Sequence, residues 1–335
     1  MSQGKAKKAE KVKAVIIRFS SLGDIVLATA ALEALWKNNV KIAFVTKSDY
    51  KDLFAADPRV SRLILFETIA KLRAQIKEFS PDWIVDLHAN LRGFLSTIGL
   101  GIPTARVKKH NLKRRFLVWF GIGSKAPHSV VDDISDVVKK IGYNISTPFL
   151  PKLYPSERGR KSADKIVADI PRPLAIIHPG ARYPLKNWGY ENFVKLAKIF
   201  MQNGFSVLFI GKAPEGSGIH SSGELTLEEL VALLALGDIF VGNDSGPAHI
   251  AAALSVPTIT VFGPTHPALG FVPMGKYASY VYSDIKCSPC SLHGEGRCKF
   301  EVRKCFESIT PDLVFERAVD VYNKKKYDEE SAKTS

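Results

Sequence analysis

A chain of 335 residues exceeds the roughly 100–200 residues of one domain and predicts two, each able to bury its own core. Its 46% hydrophobic and 24% charged composition excludes a disordered or fibrous chain. The 47 Lys and Arg against 33 Asp and Glu leave a net charge of +14, which favours anionic partners: phosphates, nucleic acid or an acidic membrane surface.

Residues 1–13 are polar and Lys-rich, without the apolar stretch of a secretory signal, and read as a disordered leader. From residue 14, short apolar runs alternate with helical spacing. Residues 14–19, 41–46, 62–66 and 83–87 read as buried strands, and 23–36 and 68–79 as helices, so strand–helix–strand units on a parallel sheet are expected. Pro148, Pro151 and Pro155 mark an interdomain linker. A second series follows, with strands at 174–177, 206–210, 238–241 and 258–262 and helices at 190–202, 226–236 and 247–254. Thr310, Pro311 and Asp312 open a last helix, with fraying expected after Tyr327. The windows 116–122 and 251–262 are too short or too interrupted for the roughly 20 residues of a bilayer span, so a cytoplasmic protein is expected. Two doubly wound halves leave a cleft between the carboxyl ends of their sheets, where ligands bind in such folds.

Three segments at strand-to-helix junctions carry candidate chemistry. In the first, residues 18–24, Ser20, Ser21 and Gly23 permit a tight turn, and Asp24 at the helix start is either a cap or a catalytic carboxylate. In the second, residues 178–188, Arg182 and Lys186 beside Gly180 suit a pyrophosphate: glycine allows close backbone approach, and the cations neutralise a leaving group. His178 and Trp188 read as structural. The third, residues 241–254, crowds small residues at a turn, where Ser245 and Gly246 offer hydroxyl and N–H donors to phosphate and Asp244 can hold sugar hydroxyls. Asn243 stands where a serine-hydrolase elbow needs glycine. Neither a Gly-x-Gly-x-x-Gly pattern nor a P-loop occurs, and no two aspartates are separated by one residue, so stabilisation of the leaving group without a divalent cation is expected.

Cys287, Cys290, Cys298 and Cys305 form a local cluster that reads equally as a structural metal site or as free thiols. Between Arg106 and Arg115, the cations Lys108, Lys109, Lys113, Arg114 and Arg115 run without an acid into Phe116, Leu117, Val118, Trp119 and Phe120. That pairing suits an anionic headgroup region; the plainer reading is a solvated loop before a core helix.

Residues 20–24, the loop Lys186–Asn187–Trp188, residues 243–249 with the Ala-rich helix after them, residues 262–265 and residues 287–290 together resemble glycosyltransferase family nine, the ADP-heptose:lipopolysaccharide heptosyltransferases, over nearly all of residues 14–325. The resemblance implies a GT-B fold of two Rossmann-like domains facing a cleft: an acceptor-binding domain at 14–150 and a nucleotide-sugar-binding domain at 156–327. It implies inverting transfer of heptose from ADP-heptose to the inner core of lipopolysaccharide, on Kdo-lipid A or a heptosyl acceptor, with no catalytic cofactor. Asp24 would be the general base and Lys186 the diphosphate anchor. Gly23, Gly180, Arg182, Glu215, Leu225, Asp244, Ser245, Gly246 and His249 would complete the donor site, with Leu225 against the adenine and Glu215 at the ribose. Expected partners are the nucleotide sugar, an anionic lipopolysaccharide precursor and, peripherally, the cytoplasmic face of the inner membrane, but no nucleic acid. The alternatives are a nucleotide-sugar epimerase of similar fold and a basic nucleic-acid-binding protein.

Overall fold

The computed structural model describes residues 11–123, 125, 129–143 and 149–334; most of the expected leader, residues 1–10, and Pro148 lie outside them. Lys13, assigned to that leader, instead opens the first strand.

The first half runs β1 (Lys13–Ile17), α1 (Leu22–Lys37), β2 (Lys41–Thr46), β3 (Val60–Leu65), α2 (Ile69–Phe79), β4 (Trp83–Asp86), α3 (Leu91–Thr97), β5 (Thr104–Arg106), α4 (Asn111–Phe120) and α5 (Val130–Lys140). Its strands form a sheet of order β3-β2-β1-β4-β5, with Val15 of β1 level with Ala43 on one side and Ile84 on the other, both pairings parallel. Strands buried on both faces need continuous apolar runs, which residues 14–17 supply.

The second half runs α6 (Glu157–Val167), β6 (Leu174–His178), α7 (Tyr190–Gln202), β7 (Ser206–Phe209), β8 (His220–Ser221), α8 (Leu227–Ala235), β9 (Ile239–Asn243), α9 (Gly246–Ala253), β10 (Thr258–Val261), β11 (Ala278–Val281) and α10 (Pro311–Thr334). Its sheet has the order β11-β10-β9-β6-β7-β8, and the pairings within it are parallel. In each half the strand order reverses beside the first strand, between β1 and β4 and again between β6 and β9. Crevices open at such points beyond the strands' carboxyl ends.

The cores depart from the expectation of two independent interiors. One apolar cluster joins Ile16, Val26 and Leu35 of the first half to Ile176, Phe240 and Ala251 of the second. Two smaller clusters lie one in each half, around Ile17 and Ile84 and around Trp188 and Phe193. The junction is α1, buried at every position from Ile25 to Leu35 between its own sheet, α5 and α9. Helices apolar all round belong inside a protein, and the alanines of α1 and α9 allow this close approach. Residues 152–154 are fastened to both halves. The amide of Lys152 donates to Thr29 Oγ1 at 3.0 Å and that of Leu153 to Ala253 O at 3.3 Å.

The end of the chain does not fray at Tyr327. Helix α10 continues to Thr334, and Asp328 is tied to Lys276 at 2.8 Å and to the Tyr277 hydroxyl at 3.0 Å. Among the described residues, no helix is long and apolar enough to cross a membrane.

Candidate active site

The loops leaving β1, β6 and β9 surround a cleft of about 730 Å3 between the two halves. Its lining carries six Lys and Arg (Arg18, Lys108, Lys109, Arg114, Arg182 and Lys186) against three carboxylates, Asp24, Asp133 and Asp244. Such a cleft concentrates anions.

Asp24 lies in the first turn of α1, where the helix terminus favours negative charge. Three donors converge on one oxygen: Oδ2 accepts from Ser21 Oγ at 2.8 Å, Ser21 N at 3.2 Å and Arg18 Nη2 at 2.6 Å. Oδ1 accepts no hydrogen bond among the described residues. Burial pushes the carboxyl up, but the Arg18 charge and the Ser21 bonds outweigh it and hold it below the ordinary carboxylate value. Arg18 is itself fixed, donating from Nη1 to Leu87 O at 2.5 Å. Asp24 therefore closes the cap of its helix with Ser21 and at the same time lines the cleft.

Across the cleft, Lys186 Nζ lies 2.7 Å from Asp244 Oδ2 and donates to Asp244 O at 3.2 Å. Thr265 Oγ1 donates to the same carboxylate oxygen at 2.8 Å. Asp244 thus serves as the counter-ion that aims Lys186, a role the sequence reading did not give it. Asn243 fixes the loop that carries Lys186: its Oδ1 accepts from Trp188 N at 2.9 Å, and its Nδ2 donates to Pro179 O at 2.9 Å. The Trp188 ring is buried, with Nε1 donating to Ile309 O at 3.0 Å, as its structural reading expected.

Ser245 and Gly246 open α9, and the facing helix ends touch. A Cβ on Gly246 would collide with Leu22 of α1, and one on Gly23 would lie 2.7 Å from the His249 ring. Burial holds the His178 and His249 imidazoles at about 4, so both are neutral near pH 7. His178 Nδ1 lies 3.4 Å from Ser245 Oγ, which places His178 in the site and not only in the core. His249 Nδ1 is buried without a hydrogen-bond partner among the described residues.

Gly23, Asp24, Arg182, Lys186, Asp244, Ser245, Gly246, His249, Lys108, Lys109 and Arg114 all line the cleft. Gly180 lies behind it, its carbonyl accepting from Asn243 Nδ2 at 3.2 Å. Glu215 is exposed on the turn after β7, Leu225 packs against the main core cluster, and Lys113 and Arg115 point to solvent. Those four are outside the cleft lining. Arg18, Tyr50 and Thr265 line it without having been assigned a role. Arg18 stood in the first motif, at the end of its strand, and that position was its signal.

The four cysteines form no disulfide among the described residues and line a separate cavity of about 20 Å3. Burial and the neighbouring thiols push Cys290 up and Cys305 up to about 11. Among the described residues, no group of three or more His, Cys, Asp and Glu is arranged to hold a metal ion. The loop they bracket supplies Leu292 and His293 to the cleft. Gly294 follows at φ +86°, and a Cβ there would meet the Lys186 side chain at 3.1 Å from Cε.

The family model for glycosyltransferase family 9 (heptosyltransferase) matches residues 122–297. The chain belongs to that family. This family 9 glycosyltransferase is 24% identical to lipopolysaccharide heptosyltransferase 1 of Pseudomonas aeruginosa, over 90% of this chain and 96% of that one. It is 28% identical to a lipooligosaccharide heptosyltransferase 2 of Campylobacter jejuni, over 88% and 94%. Its fold is similar to that of the E. coli ADP-heptose lps heptosyltransferase II, with a TM-score of 0.70 at 21% identity over 94% of this chain and all of the other. Like its structural neighbours, this family 9 enzyme has the GT-B fold.

Proposed function

We propose that this glycosyltransferase moves heptose from ADP-heptose to an acceptor in the inner core of lipopolysaccharide, with inversion and without a catalytic metal. The observation that carries the reading is the opposition, across one cleft, of a carboxylate with a free oxygen and a lysine aimed by its own counter-ion. Asp24 Oδ1 takes the proton from the acceptor hydroxyl as its oxygen bonds to the anomeric carbon. The bond from that carbon to the diphosphate breaks on the opposite face, and the departing ADP keeps the electron pair. Lys186, Arg182 and the N–H groups at the start of α9 neutralise the growing charge. Because its pKa is depressed, Asp24 is ionised but weakly basic, so the proton moves late, once bond formation has made the hydroxyl acidic.

On this reading the first half binds the acceptor, with Lys108, Lys109 and Arg114 facing its anionic groups, and the second half binds the donor. The four cysteines are architectural, supporting the loop behind Lys186. A lipid-anchored acceptor places the enzyme peripherally on the cytoplasmic face of the inner membrane. Family membership favours transfer over epimerisation or nucleic-acid binding.

Replacing Asp24 by Asn tests the assignment. Calorimetric binding of ADP-heptose should survive, while transfer falls by about a hundredfold or more. Parental transfer rates in that variant would remove Asp24 from the mechanism. The wild-type rate should be the same in EDTA as in magnesium; loss in chelator and recovery with magnesium would refute the metal-free step.

A further inference from the structure

Two helices of the first half wear their amphipathic pattern inside out. Helix α3 buries Gly93, Ser96 and Thr97 and leaves Leu91, Phe94 and Leu95 exposed, Leu91 at 72%, with Ile98 exposed just beyond its end. The three helical residues follow the i, i+3, i+4 spacing of a single helix face. Helix α4 buries only Leu117 fully and turns Arg114 inward, its guanidinium 4.5 Å from the Phe271 ring centre. Leu112, Phe116, Trp119 and Phe120 are exposed, Leu112 at 71% and Trp119 at 67%. At about 100° per residue these lie on one stripe, with Lys113 and Arg115 on its two borders.

Helices α3 and α4 follow β4 and β5, which pair in parallel, so both start from the same edge of the sheet. The cleft opens on that edge too, since Lys108, Lys109, Asn111 and Arg114 line it. Apolar faces turned outward on neighbouring helices mark an interaction surface. Charge selects the partner. From Leu87 to Val131 the chain has no Asp or Glu and eight Lys and Arg. A second copy presenting this face would be repelled, whereas an anionic surface is attracted. Trp and Phe bordered by Lys and Arg suit the boundary between headgroups and acyl chains, where aromatic rings insert and cationic side chains reach the phosphates.

We propose that the exposed faces of α3 and α4 dock this enzyme on an anionic lipid bilayer, so that the inner side of α4 meets an acceptor head group rising from the same surface. The docking stands on the surface alone; the acceptor's arrival along α4 rests on the function proposed above.

Co-sedimentation with vesicles tests it. The full chain should pellet with vesicles of phosphatidylcholine containing about one-third phosphatidylglycerol, pellet poorly with phosphatidylcholine alone, and be released as salt rises from about 0.1 to 0.5 M. The triple variant Leu112→Ser, Phe116→Ser, Trp119→Ser alters exposed positions, and an unchanged melting temperature verifies its fold. It should bind anionic vesicles at least about tenfold more weakly. It should also transfer to a deacylated, water-soluble acceptor at the wild-type rate, while transfer to the same acceptor embedded in vesicles falls about tenfold. Equal vesicle binding by wild type and variant, no binding by the wild type, or a wild-type dimer that the variant dissolves would each overturn the docking. Asp24→Asn should bind vesicles as the wild type does. Vesicle binding with no heptose transfer to either acceptor would sink the function and leave the docking standing.

Discussion

Arg18 reaches Asp24 from the end of β1, while its other nitrogen is anchored on the backbone at Leu87. The pair opposes the effect of burial, and the sign of its consequence follows. A carboxyl whose folded pKa is depressed is charged, and contributes its share of stability, above the unfolded value; both are lost as pH falls through the folded value. Replacing Arg18 by Gln removes the opposing charge and leaves burial, so the acid limb of the kcat/KM profile should move to higher pH. An acid limb that does not move would show that Arg18 has no hold on Asp24. At this scale the sequence was a partial guide. The placement of Asp24, Lys186 and Ser245 in the cleft lining was legible because each follows a strand at the edge where ligands gather. The pairing of Lys186 with Asp244 was not, because it joins loops 58 residues apart. Glu215 and Leu225, assigned by family resemblance, are not among the residues that line the cleft.

Among the elements, the loops count for as much as the helices. The cysteine-bracketed loop presses Gly294 against Lys186 in a left-handed backbone conformation that disfavours any side chain. Gly294→Ala adds both strain and a collision, so it should weaken ADP-heptose binding by about tenfold or more while the melting temperature falls only modestly. Isothermal titration beside a thermal melt separates the two effects, and unchanged affinity would detach that loop from the donor site. Long elements such as α1, α7 and the inner strands were legible because their apolar periodicity extends over several turns or both sheet faces. Strands β5 and β8 escaped notice at three and two residues. Helix α3 escaped because its seven residues make fewer than two turns, too few for a periodicity to stand out.

At the level of the whole molecule, the two halves are bound by more than the proline-rich connection. Arg59 is fully buried between Asp57 at 2.6 Å and Glu33 at 3.0 Å, donates to Lys152 O at 2.7 Å and stacks on Tyr154. It joins the first half to the segment leading into the second. Arg59→Ala strands two carboxylates in the interior and should cost about 3–5 kcal/mol in urea unfolding; a loss below about 1 kcal/mol would mean that water replaces the guanidinium. The shared core around α1 was not readable from the sequence, since apolar periodicity says that a face is covered and not by which half. Packed on every flank, α1 offers Asp24 a stationary mount. On the mechanism proposed above, the reactants must therefore be brought to a carboxylate that does not travel to meet them.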